Sequence, residues 1–526
     1  MNDRLAGQDG LGRRDLLRTI GLGGAAMTAA PLLAACSGGS TASSARPTGK
    51  PVRGGRLRLG FSGGGASSGT DAHVQLDTMS GVVAAAIYEG ITFVDPDFKL
   101  ARQLAESIEH NAEGDQWTIR VKQGVEFHNG KTLTAEDVIH SFERMLDHKT
   151  HATGAGQIGM IASMRAMDER TVRFALARPT AWFDQAIGDG QAFGIVPVGY
   201  DPKKPVGTGP FKCTGFTAGV NATFERHPNY HGDAAFLDGV TATLLGSDSA
   251  RYNALVSGQM DAVIGLTAAQ IAQAKGRSDL VVFNSEAGFF YPITMRVDSG
   301  ALADVRLRQA LRLCLDRKRV VLSAYGGYAQ AGNDLYGRYD PDLATDLVRA
   351  NDLAKARALV REAGKQGATL TLNTADLGPG LIATCQVLAE NAARIGLNVK
   401  VNVLDSATLF GPNYLQWDFA VDTYPASAIL TTSSLNDGPR ASINESHFKD
   451  PEYAALWEKA SAEFDAAKRK EHLHEMQRIL FERGGWIIPV FPNTLGAYNK
   501  KVAGFPEKDL TGFGMTRLLG KVGFTA

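Results

Sequence analysis

One stretch restricts the fold more than any other. Residues 369–373 (TLTLN) alternate as a strand. Leu381, Ile382, Cys385, Leu388, Ala389, Ala392 and Ile395 then recur at helical spacing. Gly396 follows, where a helix end favours glycine. Val399, Val401 and Val403 alternate again. Strand, helix, strand in this order is a βαβ unit, so its two strands are expected to be parallel, with a right-handed crossover. All-α and purely antiparallel folds are excluded. The chain reads as α/β, with mixed sheets in the first half and a parallel unit in the second.

Other elements are marked as clearly. Leu57, Leu59 and Phe61 alternate as a first strand, followed by a Gly/Ser loop from Ser62 to Gly69. Residues 79–89 read as a helix. Trp117, Ile119 and Val121 alternate, and Asn129-Gly130 is a tight-turn signal. Thr134 with Asp137 three residues on forms a capping-box pattern, and Leu133 and Val138 are placed as its hydrophobic staple. Residues 302–321 carry two helical stripes broken near Asp316. The stretch 451–483 is mostly helical, with Asp450-Pro451 as N-cap and first position. Residues 487–491 read as a final apolar strand. No repeat of solenoid length is present.

The N-terminus reads as an address. Arg13-Arg14 precede an uncharged, Gly/Ala-rich run from Ile20 to Ala35, the layout of a twin-arginine-like export signal over residues 1–35. Leu33-Ala34-Ala35-Cys36 is similar to a lipobox, which makes Cys36 the lipidation site. The apolar run is about 16 residues, short of the ~20 that span a bilayer. Residues 36–55 are Gly/Ser/Thr/Pro-rich and read as a flexible tether. Lys+Arg and Asp+Glu are both 55, so the basic excess of a nucleic-acid binder is missing. The four cysteines are too few for a disulfide scaffold. With Cys36 acylated, three remain, and Cys314 and Cys385 lie on apolar stripes as expected of buried free thiols.

Catalytic patterns are weak. Gly65-Ala66-Ser67-Ser68-Gly69 fits G-x-S-x-G, but no helix pattern follows to make a nucleophile elbow. His472 and His474 point to different faces of a charged helix. His148 and His151 lack further ligands. No phosphate loop, zinc-protease or C-x-x-C motif occurs. The expectation is a binding module without cofactor or metal, not an enzyme. An exported serine hydrolase using Ser67 is the rival from another class.

Several segments together resemble one family. They are Glu89-Gly90 with Asp95-Pro96 and Leu104-Ala105-Glu106-Ser107, the run from Trp117 to Val138, and Gly207-Thr208-Gly209-Pro210-Phe211. His227-Pro228-Asn229-Tyr230 with Leu237-Asp238-Gly239-Val240, and Asp304 to Leu311 with Asp316-Arg317-Lys318, complete the set. The chain is identified as similar to the extracytoplasmic solute-binding proteins of ABC importers, the peptide/nickel (family 5) group. That resemblance implies a two-lobed fold: lobe I at 56–285 plus 488–526, with an inserted subdomain, and lobe II at 286–487. It implies a monomer that captures a peptide or similar polar solute and delivers it to a permease and its ATPase. It also implies a periplasmic or cell-surface site, reached through the lipid anchor. Receptors for nickel, metallophores, opines or sugar conjugates are the alternatives within the family.

Ligands of open α/β sheets sit beyond the C-terminal strand ends. This places the loops after 369–373 and after 418–421 at the cleft. By the resemblance, Asp422 holds a ligand ammonium. Tyr414, Trp417 and Tyr424 are candidate stacking walls. Dipeptide-binding relatives carry an Arg in the loop before the 381–395 helix, and 374–379 has none. Arg440 is the candidate replacement. Asp376 in that loop and Ser68 in the Gly/Ser loop complete the candidate contacts.

Overall fold

The computed structural model describes residues 49–526, apart from Gln191 and Arg517. The signal, Cys36 and most of the tether lie outside the described residues. The βαβ unit is present: Thr369–Ala375, the helix Leu381–Ala393 and Asn398–Leu404. The strands pair in parallel from Thr369 opposite Asn398 to Ala375 opposite Leu404. Gly396 has φ +85, and Leu397 N–H reaches back to Ala392 O, the backbone closure that a left-handed residue permits after a helix.

Two large sheets organise the chain. The five-stranded sheet runs Asn398–Leu404, Thr369–Ala375, Phe419–Val421, Ile293–Met295, Trp486–Ile487. Its first three strands are parallel, and the last two are antiparallel to their neighbours. One face carries Leu370, Leu372, Val421, Ile293 and Ile487 into a core with Leu381, Cys385, Leu388 and Leu311. The seven-stranded sheet contains Arg56–Phe61 at its centre, parallel to Gly239–Leu244 and Ala262–Ile264. A four-stranded antiparallel sheet is built from residues 105–176. The chain passes between the two large sheets twice, after Ser285 and after Ile487.

Two expectations are corrected. The tether stops short of residue 55, because Pro51–Val52 pairs antiparallel with Phe524 and Thr525 and is thereby fixed. The apolar stretch 487–491 is two short strands, Trp486–Ile487 and Val490–Pro492, because Pro489 cannot donate to a ladder. A further strand, Thr494–Asn499, enters the seven-stranded sheet antiparallel to both Leu280–Ser285 and Ala262–Ile264.

Three of the segments that carried the family resemblance meet in space, around Glu89. Glu89, 3% exposed, accepts from Thr208 Oγ1 (2.9 Å), Tyr230 Oη (2.8 Å) and Gln103 Nε2 (3.4 Å), and His231 Nε2 lies 2.8 Å away. Gly207 must be glycine, since a Cβ there would stand 1.9 Å from Ile87 O. The capping box forms, with Asp137 Oδ2 accepting from Thr134 N at 2.9 Å. Asp316 caps the helix Arg317–Ser323, and Asp450 caps Pro451–Ala462. Cys314 and Cys385 are buried free thiols, and burial pushes both up to about 12.

One buried histidine, His73, and one half-buried, His128, are locked neutral by geometry. His73 Nδ1 lies 2.7 Å from the Arg144 guanidinium, which can only donate, so the ring proton sits on Nε2 and faces Gly194 O at 2.8 Å. His128 accepts from Gly207 N at Nδ1 (3.2 Å) and faces Gly209 O with Nε2 (3.0 Å). Burial lowers each to about 4. The folded state therefore resists protonation that the unfolded chain accepts near 6.5. Stability is full above about pH 6.5 and falls as pH drops toward 4, by about 3 kcal/mol per histidine at most. Urea midpoints measured from pH 7.5 to 4.5 should decline, and less steeply in His73→Gln. An equal decline in that variant contradicts this origin.

Candidate functional site

The site forms where the Phe419–Val421 strand ends. Asp422 follows it directly and is 4% exposed. Its backbone N–H bonds Pro292 O (3.1 Å), Thr423 N–H donates to Oδ1 (2.6 Å), and Tyr414 Oη donates to Oδ2 (2.7 Å). Asp422 has no ion-pair partner among the described residues. A carboxylate buried with neutral donors alone leaves most of its charge uncompensated.

Tyr414 reaches Asp422 from the turn 411–417. Leu415 there has φ +66, uncommon for a residue with a branched side chain, and its carbonyl lies 2.8 Å from His447 Nε2. Tyr424 stacks against Phe290 and packs near Trp486. Its hydroxyl lies 2.7 Å from Glu445 Oε1. Glu445, 5% exposed, is the group that sequence reasoning missed. Burial raises its carboxyl well above the usual range, and the charge of Asp422 adds to that. Burial, followed by the neighbouring carboxyl groups, also pushes Tyr414 and Tyr424 upward, so both stay protonated donors.

Thr294, Trp417, Tyr414, Asp422 and Glu445 line a cavity of about 10 Å³. That is room for one water-sized group. Trp417 is fixed by its Nε1 donating to Leu409 O (3.0 Å), and it also borders a wider groove of about 390 Å³ with Asn373, Thr371 and Asp418.

Of the residues singled out in the sequence, Tyr414, Trp417, Asp422 and Tyr424 come together here. Arg440 does not join them: it pairs with Glu458 (2.6 Å), exposed, beside the Trp457 ring. Ser68 is already engaged, donating to Asp77 Oδ2 (2.6 Å) at the start of the Thr78–Ile87 helix and accepting from Gly65 N (2.9 Å). Asp376 is exposed in the loop before the Leu381–Ala393 helix, near Tyr291. Arg338 packs 5.3 Å from the Phe491 ring. Phe491 in turn contacts Phe290, the bridge partner of Tyr424. Arg338 Nε is buried without a partner. Among the described residues no group of three or more His, Cys, Asp or Glu could hold a metal ion. The next helix after Ser67 begins only at Thr78, so no nucleophile elbow forms around it.

Comparison with known proteins agrees with this architecture. The family model for bacterial extracellular solute-binding proteins, family 5, matches residues 99–440. The chain belongs to that family. It is 25% identical to the oligopeptide-binding protein AppA of Bacillus subtilis, over 92% of this chain and 96% of the relative. Among solved structures, Helicobacter pylori DppA with the peptide STSA superposes with TM-score 0.80 at 22% identity, covering 90% of this chain and 99% of the other. AgaA of A. tumefaciens R10 with agropinic acid gives 0.81 at 24% identity, with the same coverage. Proteins of this family work outside the cytoplasm as the binding components of ABC importers. Among the described residues no helix is long and apolar enough to cross a membrane.

Proposed function

We propose that the chain is the peptide-capturing receptor of an ABC importer, and that Asp422 holds the ammonium of its ligand. The observation that carries this reading is a buried carboxylate with neutral donors and no cation, beside a cavity the size of an ammonium head. A ligand cation completes it with charge-assisted bonds. Arg338, with its buried free Nε, receives the anionic end of the solute in place of Arg440. The two large sheets belong to two lobes that close on the ligand, and the hinge lies in the crossings after Ser285 and Ile487. Binding favours the closed arrangement by its differential affinity. The receptor is a monomer held at the membrane by an acylated Cys36, after export through the residue 1–35 signal, and it hands its solute to a permease and ATPase.

A second reading, an opine or sugar conjugate, is favoured by the loop before the Leu381–Ala393 helix. It carries Asp376 where a cation would grip a free peptide carboxylate. A thermal-shift panel decides between them, because bound ligand raises the midpoint by mass action. Trialanine, a nonapeptide, agropinic acid and nickel with histidine are compared. A peptide shift is expected, and a shift by agropinic acid alone overturns the peptide assignment.

A further inference from the structure

We propose that Glu445 is a second carboxyl of the ammonium subsite, that it carries the single proton of the Asp422–Glu445 pair in the free protein, and that this proton leaves to solvent when a ligand cation docks. The inference rests on the reading of Asp422 given above and deepens it.

Its foundation is a count of protons. Tyr424 Oη lies 2.6 Å from Asn436 Oδ1 and 2.7 Å from Glu445 Oε1. A hydroxyl has one proton to donate. Asn436 cannot turn its amide round, because Nδ2 already donates to Thr432 O at 2.8 Å, one helical turn back. If Tyr424 donates to Asn436, the contact to Glu445 requires a proton from the glutamic acid. If it donates to Glu445, Asn436 Oδ1 faces an oxygen lone pair at 2.6 Å. Tyr414 does not relieve the shortage. Its proton goes to Asp422 Oδ2 at 2.7 Å, and Glu445 Oε1 is 3.4 Å off. Three acceptor oxygens therefore face two hydroxyl protons. A proton on Glu445 Oε1 completes the chain from Glu445 to Tyr424 to Asn436.

The surroundings agree. Asp422 faces Glu445 from the end of its strand, with Tyr414 and Tyr424 on either side. Asp437, after the Ile429–Asn436 helix, adds negative charge, and burial raises its own carboxyl to about 7 although Tyr336 donates to it. His447, two residues beyond Glu445, is engaged elsewhere, with Asp298 and Leu415 O. No cation is within ion-pair distance of either carboxyl among the described residues.

The second oxygen points to the ligand. Glu445 Oε2 is buried without a partner, and Glu445 lines the 10 Å³ cavity with Tyr414 and Asp422. An ammonium entering that cavity gives Oε2 a donor and supplies the positive charge the proton had supplied. The ionised form of Glu445 is then favoured, so its affinity for the proton falls on binding. The proton is released, and ligand affinity rises with pH, at most about tenfold per pH unit.

Difference infrared spectra of the free protein, for wild type and E445Q, report the proton directly. Calorimetry of trialanine binding in two buffers of different protonation enthalpy reports its release. The pH is kept between about 5.5 and 7, below the α-amino range. The expected results are a carboxylic-acid band at pH 7 that E445Q lacks, close to one proton released per trialanine in wild type, and none in E445Q. The affinity of E445Q should be flat with pH. Identical acid bands in the two proteins, or equal proton release by both, overturn the proposal. N-acetyl-trialanine binding as tightly as trialanine overturns the Asp422 reading instead, while the infrared comparison still judges the proton.

Discussion

Replacing Asp422 by Asn should weaken trialanine binding by about 2–5 kcal/mol, the range found when one partner of a buried charge pair is truncated. That is roughly a thirtyfold to several-thousandfold loss. The substitution keeps the side-chain volume, and the amide oxygen can accept from Thr423 N–H while Nδ2 donates to the Tyr414 hydroxyl oxygen. The free protein should remain folded, because the change removes a buried charge that has no cation partner. Titration calorimetry of wild type and D422N measures the difference. An unchanged affinity would show that the ammonium docks elsewhere.

The largest loss of stability is expected at Asp334. It is fully buried and accepts from Arg317 Nη2 (2.5 Å), Arg349 Nε (3.0 Å) and the Ile488 backbone N–H (3.1 Å). The two guanidiniums are themselves 6% and 8% exposed, so neither can turn to water. Asp334→Ala leaves two buried positive charges without a counter-charge, and removing one partner of such a pair costs about 3–5 kcal/mol. Against a typical total of ~5–15 kcal/mol this is severe. Urea denaturation should show the loss, and D334N should recover little of it, since the amide restores the shape without the charge. A D334N variant as stable as wild type would mean that shape, not charge, holds this junction.

Much of the fold was legible because its signals are local. The βαβ unit, the Thr134–Asp137 capping box and the Asp316 break each occupy a few residues whose spacing encodes them. The strand Thr494–Asn499 was not legible. Its partners, Leu280–Ser285 and Ala262–Ile264, lie more than two hundred residues away, and nothing near Thr494 announces them. Pro51–Val52 was missed likewise, being ordered only by the far end of the chain. The site divides in the same way. Tyr414, Trp417, Asp422 and Tyr424 flank one short strand, so finding the strand found them. Glu445 sits in a polar, aperiodic run, SINESH, in which a buried acid and a solvated one look alike. Arg440 lies only five residues from it, yet its guanidinium turns to Glu458 on the Pro451–Ala462 helix. Side-chain direction of that kind has no trace in spacing.

The buried thiols bear on how such a chain survives where it works. Outside the cytoplasm, oxidants and stray disulfides attack cysteine through its thiolate. With Cys314 and Cys385 raised to about 12 by burial, almost none of either is thiolate at neutral pH, and both are sealed in the core against the five-stranded sheet. The interior is therefore inert to exchange without spending a cross-link on protection. The same shielding turns the two sulfurs into a clock: a thiol reagent can reach them only when that core opens, so the labelling rate counts its openings.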